Sequence, residues 1–406
     1  MGKHDLIAAL ELGSGKVSCA IAKKDKIEGF KVLGIAEVLT NGLQNASVVS
    51  IEETVKAIQE CVEKVEDMTG ERVDSLFVGI KGRHIETYNH NGAINITRSD
   101  KEISEEDKML VLEAGRQMQL SNDREIIETI PLGYVVDKQT GVPDPIGMEG
   151  AHLGVAVHLV TASTTALNNI YKCINKAGFK VNELTYNMIS LGDSVVTPEE
   201  KELGVVLVDI GGQVIDIAFY IMGGLYHTTE IPIGGDYITR DIAYAMRTSF
   251  KNSRQLKEEY GYANPAFVDE DKELQYLGVD GISEQKTTIS YLSEIIAPRI
   301  EEIMQMLKKE IAMSEFSHMV PAGLVITGGT SAIKGIVDVA EKVTAVPVRL
   351  GPPQGINASK QLILNPSFSS VLSLLKYAER SGKENKKRLK KKSVFASFKK
   401  KLEEIF

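Results

Sequence analysis

Two stretches of the chain share one pattern of apolar and polar positions. Residues 205–220, VVLVDIGGQVIDIAFY, run apolar into Asp209, break at Gly211 and Gly212, and resume as a β-rich run carrying Asp216. Residues 6–22, LIAALELGSGKVSCAIA, do the same around Glu11, Gly13 and Gly15. Apolar runs of this length broken by glycines read as two strands joined by a tight turn. In each copy a polar turn (23–26 and 222–224) leads to a third strand (30–38 and 226–233). Three strands in meander, twice over, with an acid and glycines at the same place, indicate an internal duplication.

The pattern continues between and after these copies. Val55, Ile58, Val62 and Val65 repeat at helical spacing and predict a helix over 50–68, closed by Gly70, with a buried strand at 75–80. From about 81 to 159 the order is interrupted by a small α+β insert. It has short strands at 84–88, 93–97, 126–130 and 153–159, a helix opened by the capping-box-like Ser104–Asp107, and a Pro/Gly loop at 141–147. A helix over 164–177, a strand at 181–184 and a helix over 188–197 lead into the second copy. Helices follow at 237–250, 253–260 and 284–313, the last interrupted by Pro298. A buried strand at 323–327 runs into Gly328-Gly329-Thr330, with a helix starting near Ser331, a strand at 346–350 and a helix over 366–378.

Composition narrows the class. The 406 residues suffice for two core-building domains, and 43% apolar with 25% charged residues is ordinary for a globular protein. There is no run of eighteen apolar residues and the N-terminus lacks a signal peptide's shape, so neither a transmembrane helix nor a secretory leader is expected. Cys19, Cys61 and Cys173 are scattered and odd in number, which suits a reducing compartment and a packing role. The seven histidines show no metal-ligand spacing. The net charge of −8 hides an asymmetry: residues 381–406 hold ten Lys/Arg against three Glu, net +7, leaving −15 for the rest. An acidic body with a basic tail argues against a nucleic-acid partner and for one electrostatic contact surface at the end.

Residues 381–392 cannot bury an apolar face and read as a flexible basic linker. In 393–406, SVFASFKKKLEEIF with Val394 at its start and Phe406 at its end, Phe395, Phe398, Leu402 and Ile405 fall on one helical face beside Lys399, Lys400 and Lys401. Such a stripe could dock on the body or pair as a coiled coil. It follows a linker too charged to pack and is short for a coiled coil, so anionic membrane lipids are the expected partner, at on the order of 1 kcal/mol per basic residue.

An acid–glycine turn in each half is suited to a phosphate chain and a hydrated cation, because glycine lets backbone N–H groups approach an anion. The duplicated βββαβα unit resembles the actin-like ATPase superfamily: an α/β fold, RNase H-like in each half, with two lobes. GLVITGGTSAIKGI at 323–336 looks like its adenosine loop. The match extends to one family. EIPIGGDYITRDIA (230–243), HLVTASTTALNNI (158–170), EEKELGVVLVDIGG (199–212), RQLKEEYG (254–261), IIAPRIEEI (295–303) and NPSFSSVLSLLKYAE (365–379) together resemble the bacterial cell-division protein FtsA family. The insert and the terminal helix match that family too.

The resemblance implies a division into 1–80, with 160–195 returning to it, an inserted subdomain at 81–159, a second actin-like unit at 196–230 with 313–380, and a helix-rich subdomain at 231–312. It also implies site residues. Glu11, Gly13, Ser14, Gly15 and Lys16 would form the first phosphate loop, and Asp209, Gly211, Gly212 and Gln213 the second. Glu11 and Asp209 would face Mg²⁺ through water. Arg254, Lys257 and Glu258 would flank the adenosine of ATP, or else form a solvated helix face, with Gly328, Gly329 and Ile333 on the opposite wall. Gly235 and Asp236 would lie near the phosphates. Asp216 either caps the strand turn or joins the site.

There are departures. The first acid is Glu11, where many relatives of the superfamily have Asp. The second loop reads Asp-Ile-Gly-Gly-Gln-Val in place of acid-x-Gly-Gly-Gly-Thr. The crossover stretch 190–194 carries no glutamine to orient an attacking water and offers only Asp193, a structural or a catalytic acid. Binding of ATP is therefore expected with slow hydrolysis at most. The resemblance further implies self-association into short filaments, a place on the cytoplasmic side of the cell membrane at the division site, and binding of the FtsZ C-terminal peptide, with Arg299 a candidate contact. Two other readings share the superfamily: an assembly ATPase for pili or plasmid segregation, and a small-molecule kinase.

Overall fold

A computed structural model describes residues 6–25 and 29–381. The first lobe is built on β1 (Leu6–Leu12), β2 (Lys16–Asp25), β3 (Gly29–Leu39), a small hairpin of β4 (Leu43–Gln44) and β5 (Ser47–Val48), α1 (Ile51–Thr69) and β6 (Ser75–Ile80). Ser50 caps α1 by accepting from Glu53 N–H, and Gly70 ends it in the left-handed conformation that costs glycine least. The apolar face of α1 then packs Ile58, Val62 and Val65 on the sheet.

The insert follows: β7 (Ile85–Asn95), α2 (Glu105–Arg116), β8 (Arg124–Val136), β9 (Gln139–Val142) and β10 (His152–Ser163), in the sheet order β7-β10-β8-β9 with α2 against it. The two short strands expected at 84–88 and 93–97 are one. Asn89, Asn91 and Gly92 have low strand propensity, but β10 pairs β7 along its whole length. The chain returns through α3 (Thr164–Lys176), β11 (Lys180–Tyr186) and the crossover helix α4 (Asn187–Val195). A short helix unforeseen in the pattern, α5 (Pro198–Leu203), follows behind a Thr197–Glu200 capping box.

The second lobe repeats the first with β12 (Val205–Ile210), β13 (Ile215–Ile221) and β14 (Gly224–Ile231). Next come α6 (Gly235–Met246), α7 (Phe250–Tyr260), the hairpin β15 (Glu273–Leu277) with β16 (Glu284–Thr288), and α8 (Ile289–Met313). β17 (Leu324–Thr327), α9 (Ile336–Thr344), β18 (Val348–Leu350), α10 (Lys360–Ile363) and a C-terminal helix over 369–381 complete the described chain. The long helix expected from 284 begins at Ile289. The residues before it form the largely exposed β16, whose polar sequence shows no alternation. The helix expected near Ser331 starts at Ile336, after a single 3₁₀ turn at Gly329–Ala332.

Both five-stranded sheets have one topology, β11-β6-β1-β2-β3 and β18-β17-β12-β13-β14, with the meander antiparallel and the crossover pairs parallel. The duplication holds register for register. In the first lobe Glu11 stands opposite Ser18, and Ser18 opposite Glu37. In the second, Asp209 stands opposite Asp216, and Asp216 opposite Glu230. Directly opposed residues share a face of the sheet, so each lobe carries one row of polar side chains across its buried meander.

Candidate functional site

The leading acids of the two rows, Glu11 and Asp209, meet at a pocket of about 540 Å³ between the lobes. Each acid–glycine turn closes in the same way: Gly13 N–H donates to the Lys16 carbonyl at 2.9 Å, and Gly211 N–H to the Val214 carbonyl at 3.0 Å. The first loop brings Glu11, Gly13, Ser14, Gly15 and Lys16 to the wall, and the second Asp209, Gly211 and Gly212. Asp236 on α6 and Arg254, Lys257 and Glu258 on α7 form another side, opposite Gly328, Gly329 and Ile333. The α7 charges are thus pocket residues as well as a helix face. Asn365, Pro366, Ser367 and Ser370, which the pattern did not single out, line it from the C-terminal segment.

Lysine chemistry organises the interior. Lys81, at the end of β6, reaches both lobes: its Nζ lies 3.2 Å from Glu11 Oε1 and 2.9 Å from Asp209 Oδ2, with all three groups buried. Burial works to lower its ammonium, but Asp209, Glu11 and Asp216 outweigh that and hold it well above the ordinary lysine value. Sequence reasoning missed Lys81 because a lysine after a buried strand reads as the first exposed loop residue. Its two partners are distant in sequence. Lys257 is a second buried lysine, donating to the Gly235 carbonyl and to Thr239 Oγ1, each at 2.9 Å. With carbonyl and hydroxyl partners in place of a carboxylate, burial lowers it to about 8. Arg254 donates to Asp236 Oδ1 at 3.2 Å. Lys16 turns to Glu37, which also accepts from Ser18.

Close approaches tie the acids down. Asn187, at the start of α4, donates 3.3 Å to Glu11 and 3.0 Å to Ser370 Oγ. A Cβ at Gly79 would fall 2.1 Å from Asn187 Oδ1, so a larger residue there would push aside the Asn187 side chain that holds Glu11. Gly328, at φ 88, packs where a Cβ would meet Asp209 Oδ1 at 2.3 Å.

Three expected site residues lie elsewhere. Gln213 does not line the pocket. It straps the lobes, its Oε1 accepting from Asn45 N–H at 2.8 Å and its Nε2 donating to Asp236 Oδ2 at 3.2 Å. Gly235 lies behind the wall, its carbonyl spent on Lys257. Asp193 corrects the catalytic expectation. It sits on the far end of α4, paired with Lys201 at 2.9 Å and with Arg380, in a separate cleft, because Ser190 and Ser194 occupy the inward positions of that helix. Asp216 is also outside the pocket. It is 2% exposed, and burial, only partly offset by Lys81, pushes it up to about 8.

Arg299 on α8 forks onto Asp241 at 2.7 and 3.1 Å and also pairs with Glu302. The expected membrane residues Val394–Phe406 lie outside the described residues. Among the described residues no helix is long and apolar enough to cross a membrane.

The residues fit a phosphate chain. Two glycine turns face one space, and Ser14 Oγ is buried there without a partner. Direct metal ligation fits less well. Glu11 and Asp209 both already contact the Lys81 ammonium, and no group of three His, Cys, Asp or Glu among the described residues is placed to hold a metal. A divalent ion would be held through water.

Comparison with known proteins agrees with this geometry. The family model for cell division protein FtsA matches residues 206–373, and the model for the SHS2 domain inserted in FtsA matches 82–161. The FtsA of Pseudomonas aeruginosa is 35% identical over 372 residues, 92% of this chain and 89% of that protein. The FtsA of Escherichia coli K12 is 30% identical over 383 residues, 93% and 91%. The chain belongs to the FtsA cell-division protein family. Among solved structures, the PilM-PilN type IV pilus biogenesis complex superposes with a TM-score of 0.65 at 14% identity, covering 91% of this chain and 97% of that one. MreB5 of Spiroplasma citri bound to ADP gives 0.56 at 12%, covering 94% and 98%. At these identities they establish the fold, which is actin-like.

Proposed function

We propose that this FtsA-family chain is an ATP-binding adaptor that ties FtsZ filaments to the inner face of the cytoplasmic membrane. The observation that carries the nucleotide part is the pocket itself, in which two matching glycine turns, Lys16, Lys81 and the buried Lys257 surround one space. The MreB5 neighbour, whose structure holds ADP, supports the same reading. The phosphates would lie on the N–H groups of the turn residues Ser14, Gly15 and Gly212, since those of Gly13 and Gly211 close the turns, and the adenosine would lie between α7 and residues 328–333. A Mg²⁺ ion held through water beside Glu11 and Asp209 would supply charge neutralisation on the phosphates. Lys81 keeps the two acids together behind them, and Asp236 and Arg254 hold each other at the side. With Asp193 turned away, the crossover helix offers no base for in-line water attack on the γ-phosphate, and hydrolysis is slow at most.

The anchor is residues 393–406, where four apolar side chains beside lysines suit an anionic bilayer. Short filaments of this chain multiply that weak contact. The FtsZ peptide is held on the subdomain around α6 and α8, where an acidic peptide competes with Asp241 and Glu302 for Arg299.

Co-sedimentation of FtsZ with anionic vesicles in Mg-ATP tests this, comparing the full chain with one ending at Lys392. FtsZ pelleting with the full chain alone is the expected result. Pelleting with both places the anchor elsewhere. If the full chain reaches the lipid without FtsZ, the adaptor reading falls. The likeness to PilM then moves a pilus-type assembly role to first place.

A further inference from the structure

Behind the nucleotide pocket lies a second cleft, about 350 Å³, between β7 of the insert and β14 of the second lobe. Asp216 and Glu230, directly opposed on β13 and β14, form its floor. Asp216 is 2% exposed, and its Oδ2 has no hydrogen-bond partner; neither has Glu230 Oε1. The nearby cations leave both unsatisfied. Lys81 is spent on Glu11 and Asp209. Arg83 stands 3.4 Å from Glu230 without a hydrogen bond, its side chain 65% exposed. Glu86 at the rim is held by Arg124 and Tyr88. Burial makes both acids reluctant to ionise, raising Asp216 to about 8 and Glu230 to about 7, and a bound cationic donor offsets the cost of their charged forms.

From this geometry we infer that the cleft is a binding site for a primary alkylammonium group, with Asp216 and Glu230 as its acceptors. A metal ion fits less well, since no group of three potential ligands converges among the described residues. An ammonium instead donates three hydrogen bonds and needs only acceptors around it. The cleft is larger than a bare ion needs and admits a short alkyl chain. Tyr88 and Tyr186 line it, and aromatic rings favour cations. The group reaches the cleft either on a free diamine or on the lysine side chain of a protein.

The test is calorimetric titration and thermal unfolding of the full chain at constant ionic strength. The probes are 1,4-diaminobutane, a short lysine-containing peptide and, as a cation without N–H donors, tetramethylammonium. Saturable binding of one primary amine per chain with a raised melting midpoint, and no such effect of tetramethylammonium, is expected. Glu230→Gln, at a partly exposed position, weakens the amine at least tenfold, and Asp216→Asn does likewise. Arg83→Gln strengthens it by removing the competing cation. Tighter binding of the peptide than of the diamine assigns the site to a protein lysine, and the reverse order to a free amine. If the amines act like tetramethylammonium, or Glu230→Gln binds them as the parent chain does, the acids hold only a proton and the inference is overturned.

Discussion

In the first lobe the polar row is neutralised from within. Glu37 takes the partly exposed Lys16 and the buried Ser18 of the neighbouring strand, and Glu11 pairs with Lys81 of its own lobe. In the second lobe the same three positions are Asp209, Asp216 and Glu230, three acids with no cation on their own sheet to answer them. The nearest positive charge comes from across the cleft: Lys81 answers Asp209, while Arg83 stands 3.4 Å from Glu230 without a hydrogen bond. A duplicated unit has thus diverged in where its counter-charge resides. The consequence is cohesion: the second lobe's acids are stable only while the first lobe supplies Lys81.

The largest break of that asymmetry is Lys81→Met. It strands two buried carboxylates, and a loss of about 3–5 kcal/mol in urea unfolding is expected. Its counterpart Lys16→Met removes a pair whose members are 28% and 30% exposed, and costs less than about 1 kcal/mol. Equal losses would show that the lobes are neutralised alike.

Next in size is Lys257. Its folded value of about 8 lies below the ordinary 10.5, so between those values the unfolded chain binds more protons and stability rises with pH. Lys257→Met removes that rise, on the order of 2–3 kcal/mol between pH 8 and 10.5. Urea unfolding at the two ends of the window checks it. Gln213→Ala cuts the polar strap between the lobes at a cost of about 0.5–1.5 kcal/mol. Faster hydrogen exchange at the Asn45 amide is its signature. The smallest effect belongs to Asp193→Asn, which leaves nucleotide turnover unchanged, since the side chain lies at the far end of α4.

The fold was legible where burial imposes a period. The six meander strands, α1 and the helical faces followed from apolar spacing, and the acid–glycine turns marked both loops that line the pocket. Legibility failed where contacts are long-range. Lys81 has its partners 70 and 128 positions away, and β16 is a largely exposed strand with no apolar alternation, paired to a five-residue β15 that buries only Leu274. Gln213 occupies a loop position but is drawn off by Asn45, 168 residues away. Asp193 misled because a helical acid near a phosphate loop looks the same whichever way its helix turns.

The most direct measurement is amide hydrogen exchange of the full chain with and without Mg-ATP. If two matching loops close on one nucleotide, residues 13–16, 211–214 and 328–330 gain protection together. Protection confined to one lobe, or none at either loop, would contradict a shared site.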